Sequence, residues 1–324
     1  MPENRKYFAH KQVLLVGART EEGLPLVSSL VLNLIIWGIL ARARSMYQVR
    51  VCHFIFMFNH FHMMLVVDNP EDVSNFVGYV KGEIAHAVNQ LLGRRRKTLW
   101  AEGYDSPVIL TARDVLRYIG YIYVNPAKAN LVDRIDEYPG VSSWQMFTQD
   151  RRASCHKWIR RPAIKKLQFP ALTIGEQRRM VESLDRAATL EHEFVLEPFA
   201  WLECFPESVD RSEDEVKEEI IEAVRKLEAE RRLEREENNR KVIGATALRR
   251  QSMLKEYQPK KSGKRMLCLC SEKPLRARFI DHFRALCDAA RKAYERWKKG
   301  DLRAKMPPGM FAPRVPVLAS AFVT

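Results

Sequence analysis

The chain has 324 residues, a formal net charge of +14 and hydrophobic side chains at 46% of its positions. This length and composition suffice for one or two domains with a buried core. The longest apolar stretch, Val27–Leu40, is interrupted by polar residues and too short to span a bilayer, which excludes a membrane protein and favours a buried helix. Six scattered cysteines lack CxxC spacing, and we find no signal-peptide pattern in the sequence, so we expect a cytoplasmic protein.

The positive charge is concentrated at one end of the chain. Residues 240–324 carry 21 basic and 6 acidic side chains, whereas residues 1–150 carry 16 and 14. Because phosphate contacts dominate nucleic-acid affinity, such a basic block predicts a polyanionic partner. The alternative is a solubilising tail without a specific ligand.

Hydrophobic periodicity predicts most elements of the first 150 residues. In chain order we expect a strand, a helix, two strands forming a hairpin and a second helix at Gln12–Ala18, Pro25–Ser45, Tyr47–Phe58, His60–Val67 and Glu71–Leu92. A short apolar piece, Pro107–Leu110, then precedes a helix over Thr111–Val124, with Thr111 as its N-cap and Pro126 closing or kinking it. The order β-α-β-β-α-β plus a helix predicts an α+β fold, a ferredoxin-like sandwich.

The rest of the chain differs in character. Residues 155–205 are predicted to form short helices and loops around core residues that include Trp158, Phe169, Phe194, Phe199 and Trp201. Ser208–Lys241 is a charged helix with one apolar stripe, which favours packing on the body or a partner over a free coiled coil. We therefore predict a domain at 1–150, a mainly helical extension at 151–239 and a basic C-terminal region at 240–324.

Two histidines two residues apart form a candidate metal site. On a strand, His60 and His62 point to the same face about 7 Å apart, while Phe61 turns into the core. The alternative is a pair of ordinary polar residues on an exposed strand, and His53 is either a ligand or a neighbour. With Asn125 as a third ligand, positions stay open for water and phosphate. Nitrogen and oxygen ligands fit Mg²⁺ or Mn²⁺ without excluding zinc or nickel.

A tyrosine on the following helix is a candidate nucleophile. Arg117, Tyr121 and Asn125 form a stripe at i, i+4 spacing, turned away from the core. The ordinary pKa of tyrosine is about 10, so attack on a phosphodiester at neutral pH needs a metal or a base. A tyrosyl phosphodiester would conserve the energy of the bond for strand transfer. Tyr118 and Tyr123 share this helix, and a structural role for any of the three tyrosines is the alternative.

Three motifs in order resemble one family. "FNHFHMMLVV", "LWAEGYDSPVI" and "YIGYIYVNPAKANLV…YPGVSSW", within residues 10–147, resemble the HUH single-tyrosine transposases, in particular the REP-associated tyrosine transposase branch. The resemblance implies a ferredoxin-like fold, metal-binding residues His60, His62 and Asn125, and the nucleophile Tyr121. It also implies cleavage of single-stranded DNA beside a hairpin with a divalent metal, leaving a 5′-phosphotyrosine and a free 3′-OH.

The chain departs from the family pattern at three places. Only Arg19 remains of a family segment on the first strand, and Phe58 replaces a proline before the histidine strand. Ala127 and Asn130 replace residues of the "NPVKAGL" motif. The first change could weaken substrate contacts, whereas the others are tolerable loop changes, so we expect an active enzyme.

A single-stranded or hairpin DNA substrate needs cations along its backbone. The candidates are Lys81, Arg94, Arg95, Arg96, Arg113, Arg117, Lys128, Arg249, Arg250, Lys260 and Lys261. We expect residues 240–324 to clamp a hairpin or flanking duplex while the first 150 residues cut.

Two other functions fit the sequence: a domesticated hairpin-binding protein that transposes nothing, and a metal phosphodiesterase that uses water. The native metal and the DNA sequence recognised stay open. Both a monomeric and a homodimeric protein are consistent with the sequence.

Overall fold

The computed structural model describes most of the chain. The described residues are 6–21, 26, 30–94, 98–164, 175–176, 179, 182, 188–250, 266–301 and 303–311. The residues named above that lie outside them are Pro25, Val27, Arg95, Arg96, Phe169, Lys260 and Lys261. Within these ranges, no helix is long and apolar enough to cross a membrane.

The main helices and strands are labelled in chain order. They are β1 (Val13–Arg19), α1 (Leu30–Met46), β2 (Val49–Phe56), β3 (His60–Val67), α2 (Pro70–Leu91), β4 (Val108–Ile109), α3 (Ala112–Lys128), α4 (Trp144–Thr148), β5 (Ala153–Ile159), β6 (Thr189–Val195), α5 (Glu213–Glu237), α6 (Ala245–Arg249), β7 (Cys268–Leu269) and α7 (Lys273–Lys298).

The central sheet has the strand order β2-β3-β1-β4-β7. Its first four strands, with α1 and α2 as crossovers, form the predicted ferredoxin-like arrangement, which is confirmed. β1 pairs antiparallel with β3 and with β4. The fifth strand, β7, comes from the basic C-terminal region and pairs in parallel with β4 through Cys268 and Leu269. We did not predict this strand.

The two faces of the sheet carry different helices, because successive strand side chains point to opposite sides. On one face, Phe54 of β2 packs edge-on against Trp37 of α1, with ring centroids 5.4 Å apart. On the other face, His62 of β3 meets Tyr121 of α3. The sheet is therefore covered on one side by the crossover helices and on the other by the helix that carries the candidate nucleophile.

Helix α3 begins as predicted and ends later than predicted. The Thr111 side chain accepts a hydrogen bond from the Asp114 backbone N–H at 3.1 Å, which confirms the N-cap. The helix continues through Pro126 to Lys128, because proline removes only one donor there and its own carbonyl still accepts from Leu131 N at 2.9 Å. Asn130 follows at φ +55°, a conformation that asparagine tolerates nearly as well as glycine.

The prediction of short helices and loops for residues 155–205 was wrong where β5 and β6 form an antiparallel hairpin. Trp158 and Phe194, predicted as core residues around loops, instead lie on these strands and pack towards α1. Gly38 of α1 permits this contact, since a Cβ there would overlap the Lys157 carbonyl. Trp37 stacks on His156 with centroids 4.6 Å apart. The hairpin is therefore held by long-range packing on α1 that local periodicity does not reveal.

The charged helix α5 packs on the body of the protein, which is one of the two arrangements that the sequence favoured over a free coiled coil. Its apolar stripe, Val216, Ile220 and Val224, is buried, and the helix lies along α3. Near its C-terminal end, buried Arg235 donates to the Ala127 carbonyl at 3.0 Å and forms an ion pair with Asp133. This helix therefore fixes the C-terminal end of α3 and the segment after it.

Two described segments that are far apart in the sequence, near residues 8 and 309, also meet. Phe8 N donates to the Gly309 carbonyl at 3.1 Å, and Tyr7 bridges to Met310. Together with β7, these contacts join the basic C-terminal region to the first 150 residues. The three-part domain division stays a prediction.

Candidate functional site

The structure brings the predicted histidines and tyrosine together. His60 and His62 lie on the same face of β3, with ring centroids 5.0 Å apart. The Tyr121 hydroxyl oxygen lies 3.3 Å from His62 Nε2, and the two rings are 5.1 Å apart. β3 and α3 thus place a candidate metal pair and a candidate nucleophile at one point.

Asn125 lies one helical turn after Tyr121. It is 7% exposed, and its Nδ2 donates to the Tyr121 carbonyl at 2.8 Å. The residue is therefore fixed beside the tyrosine, with an amide oxygen that would suit a metal.

Asn59 sets the hydrogen position on His60. The Asn59 side-chain oxygen accepts a hydrogen bond from His60 Nδ1 at 2.7 Å. A proton on Nδ1 leaves the lone pair on Nε2, the usual arrangement for a histidine that binds a metal. Sequence reasoning did not single out Asn59, although it directly precedes the histidine pair in the quoted motif.

Gly17 makes room for His62. It pairs with His62 across β1 and β3, and a Cβ at this position would lie 3.3 Å from both His62 Nδ1 and the Phe61 carbonyl. Any larger residue would press on the imidazole. This role depends on strand register, so the sequence alone offered no signal for it.

Burial keeps both histidines neutral. It lowers the pKa of His60 to about 4. It lowers the pKa of His62 to about 3, with further contributions from the positive charges of His60 and Lys128. Neutral imidazole is the form that binds metals, so these pKa shifts suit the predicted role.

The nucleophile needs activation. Burial raises the pKa of Tyr121 above its ordinary value, and this outweighs the hydrogen bond from Asn125, which lowers it. The Lys128 ammonium lies 5.5 Å from the centre of the Tyr121 ring. A phenolate here would therefore depend on nearby positive charge.

The donor set fits a divalent metal with open positions. Asn59 directs the His60 Nε2 lone pair outward, and His62 Nε2 faces the Tyr121 hydroxyl. In the described part of the chain, no three His, Cys, Asp or Glu side chains form a group that could hold an ion. An ion at His60 and His62 would therefore complete its shell with an amide oxygen such as that of Asn125, with water and with substrate phosphate.

Two neighbouring residues have structural roles. His53 is fully buried, with its ring nitrogens 2.8 Å from the Tyr123 hydroxyl and 3.0 Å from the Pro198 carbonyl. Tyr123 also bonds Ser143 at 2.9 Å inside the core. These contacts hold both residues away from the candidate site, so His53 is a neighbour rather than a ligand.

The predicted DNA-binding cations lie in different places. Arg113, Arg117 and Lys128 are exposed on α3, on the helix that carries Tyr121. Lys81 donates instead to the Gly103 carbonyl, while the Trp100 indole donates to the Lys81 carbonyl at 2.8 Å. Lys81 therefore supports the loop that contains Trp100 and Gly103.

Three further cations lie away from α3. Arg94 follows the end of α2. Arg249 ends α6, and Arg250 comes directly after it; both are exposed.

Part of the chain is similar to known proteins. Residues 31–122, which include β3 and Tyr121, match the family model described as IS200-like transposase. A solved REP-associated tyrosine transposase bound to a REP hairpin is similar at 16% identity and a TM-score of 0.40, over 46% of this chain and 86% of that chain. No curated protein matches the chain.

Proposed function

We propose that the chain nicks single-stranded DNA and transfers the cut strand through Tyr121, because residues 31–122 match the model of the IS200-like transposase family, in line with the predicted resemblance. The observation that carries the proposal is the position of the Tyr121 hydroxyl, 3.3 Å from His62 Nε2 on the face of β3 that also carries His60. The quoted motifs favour the REP-associated branch and a hairpin-forming substrate.

The chemistry follows from the nucleophile. The Tyr121 oxygen loses its proton and attacks the scissile phosphorus, forming a phosphotyrosine bond while the bond from phosphorus to the 3′ oxygen breaks. The 3′ oxygen takes up a proton and leaves as a hydroxyl. Because the new phosphodiester keeps the energy of the old one, a 3′-OH can later attack it and release Tyr121.

The other residues of the site would hold the metal ion, orient Tyr121 and contact the DNA backbone. His60, His62 and Asn125 would hold Mg²⁺ or Mn²⁺, which as a Lewis acid would neutralise charge on the scissile phosphate. Asn125 orients Tyr121 through its hydrogen bond to the Tyr121 carbonyl. Arg117 and Lys128, on the same helix as Tyr121, would contact the DNA backbone on either side of the nucleophile.

A trapping assay tests the proposal. End-labelled hairpin DNA with a single-stranded flank is incubated with the protein and Mg²⁺ or Mn²⁺, and covalent adducts are separated in denaturant. We expect a metal-dependent adduct that is lost in Tyr121→Phe. Tyr118→Phe is the matched control, because its ring lies on the same helix 6.1 Å from that of Tyr121, and this variant should retain the adduct.

The same assay separates the alternatives. Cleavage without an adduct would indicate a phosphodiesterase that uses water, with Tyr121 as a structural residue. Tight binding with neither cleavage nor an adduct would indicate a hairpin-binding protein. Either result would contradict the proposal.

A further inference from the structure

A small basic cavity lies beside the candidate active site, between the end of α3 and the end of α5. Its volume is about 180 Å³. It is lined by Lys128, Asn130, Arg231, Glu234, Arg235 and Arg240, among others. Four of these side chains are cationic and one is anionic. All of the lining residues lie outside the segment that matches the transposase family, residues 31–122.

The cations of the cavity differ in what they already bind. Arg235 is used by the fold, through the Ala127 carbonyl and Asp133. Arg231 pairs with Glu234. Lys128 and Arg240 are exposed, and neither forms an ion pair with an acid among the described residues. The cavity therefore keeps two uncompensated positive charges at its rim.

Lys128 links this cavity to the nucleophile. It follows Tyr121 by seven residues, which is two helical turns and about 10 Å along the axis on nearly the same side of α3. Its ammonium lies 5.5 Å from the centre of the Tyr121 ring. A DNA strand that leaves Tyr121 along α3 towards its C-terminus therefore reaches the cavity.

We propose that this cavity binds a backbone phosphate of the same DNA strand that Tyr121 cuts, which rests on the proposed function. Guanidinium and ammonium groups are the usual protein ligands of phosphate. None of the residues that line the cavity is aromatic, so it offers no surface on which a base could stack. Arg240 and Lys128 supply the uncompensated positive charge. Arg231 and Arg235, which already have partners in the fold, form part of the cavity wall. Helix α5 thereby becomes part of the DNA-binding surface.

The test compares two arginines of one region with the same change of charge. Arg240→Gln removes a free cation at the cavity, whereas Arg232→Gln removes an exposed cation on α5 that pairs with Glu236 and does not line the cavity. Adduct formation by the full chain is measured against the concentration of single-stranded DNA. In Arg240→Gln we expect the half-saturating concentration to rise roughly fivefold at 0.1 M salt, with the maximal rate unchanged. Arg240→Lys should recover most of the affinity.

Binding without cleavage distinguishes failure of the cavity from failure of the proposed function. The same variants in a Tyr121→Phe chain are titrated with fluorescently labelled single-stranded DNA at several salt concentrations. Arg240→Gln should reduce the salt slope by about one, and Arg232→Gln should leave it unchanged. Equal slopes in the two variants would overturn the cavity proposal, even if the unsubstituted chain forms the adduct. A slope loss confined to Arg240→Gln would support the cavity, even if no adduct ever forms.

Discussion

Two residues of the candidate site, Asn59 and Gly17, act on the histidine pair. Asn59 fixes one tautomer of His60, and Gly17 leaves space for the His62 ring. Neither touches the predicted nucleophile. Both are therefore positioning residues, and their effect should appear as a change in metal binding and rate rather than as a loss of folding.

Gly17→Ala tests the positioning role of Gly17. The added methyl would lie 3.3 Å from His62 Nδ1 and from the Phe61 carbonyl, so the imidazole must shift by a few tenths of an ångström. We expect the rate of metal-dependent nicking to fall by roughly tenfold, because catalysis is sensitive to small misplacements. Gly78→Ala, on α2 with nothing within 4 Å of the added carbon, is the control. A nicking rate in Gly17→Ala equal to that of the control would contradict the role of Gly17.

His53 makes folding stability depend on pH. Burial lowers its pKa from 6.5 to about 3 in the folded protein. The unfolded chain therefore binds a proton that the folded protein does not, and stability is lost as pH falls below about 6.5 towards 3. At pH 5 the loss from this one group is about 2 kcal/mol.

The measurement is the free energy of unfolding in urea at pH 7 and pH 5. His60 and His62 shift in the same direction, so His53→Gln isolates one contribution. This variant should show a drop between the two pH values that is smaller by about 2 kcal/mol. An unchanged drop would mean that His53 is not held neutral by the core.

At the scale of elements, α5 determines where α3 ends. Arg235 is 5% exposed and joins α5 to the Ala127 carbonyl and to Asp133. Glu228 accepts from Ile135 N at 2.6 Å, further along the same segment. These contacts cross between the predicted extension and the predicted first domain, so the helix that bears Tyr121 depends on sequence more than 100 residues away.

Arg235→Ala should loosen this junction. It leaves a buried carbonyl and a half-exposed carboxylate without their partner, and we expect unfolding free energy to fall by about 2–4 kcal/mol. Arg232→Ala, on the exposed side of the same helix, should change stability far less. Urea denaturation of both variants checks this, and equal stability of the two would show that α5 does not anchor α3.

The features that could be predicted from the sequence are those that depend on local spacing. The strand spacing of His60 and His62 and the helical spacing of Tyr121 and Asn125 need only a few neighbouring residues, and the ferredoxin-like order follows from periodicity. The β5–β6 hairpin was missed because its stability comes from packing on α1, including the fit at Gly38. β7 was missed because a two-residue strand is defined only by its distant partner β4.

At the scale of the whole molecule, the basic C-terminal region is built into the sheet. Deleting residues 240–324 would remove β7 and the contact between Phe8 and Gly309 along with the charge. Neutralising exposed cations is therefore a cleaner test of the predicted DNA clamp than truncation.

Arg276, Arg278 and Lys292 on α7 are exposed and suit this purpose. Changing all three to Gln should reduce the salt slope of DNA binding by about one to three, since each phosphate contact contributes about one. Thermal unfolding should be unaffected. If the salt slope with hairpin DNA stays the same, the tail is a solubilising segment rather than a clamp.

Tyr121, rather than a neighbouring tyrosine or water, is the group that we propose attacks the DNA. The most direct measurement is fragmentation mass spectrometry of the covalent adduct after nuclease and trypsin digestion. The peptide from Tyr118 to Lys128 contains three tyrosines, so the fragment ions must place the nucleotide. We expect a 5′-phosphate on Tyr121. A nucleotide on Tyr118 or Tyr123, or cleaved DNA with no modified peptide, would contradict it.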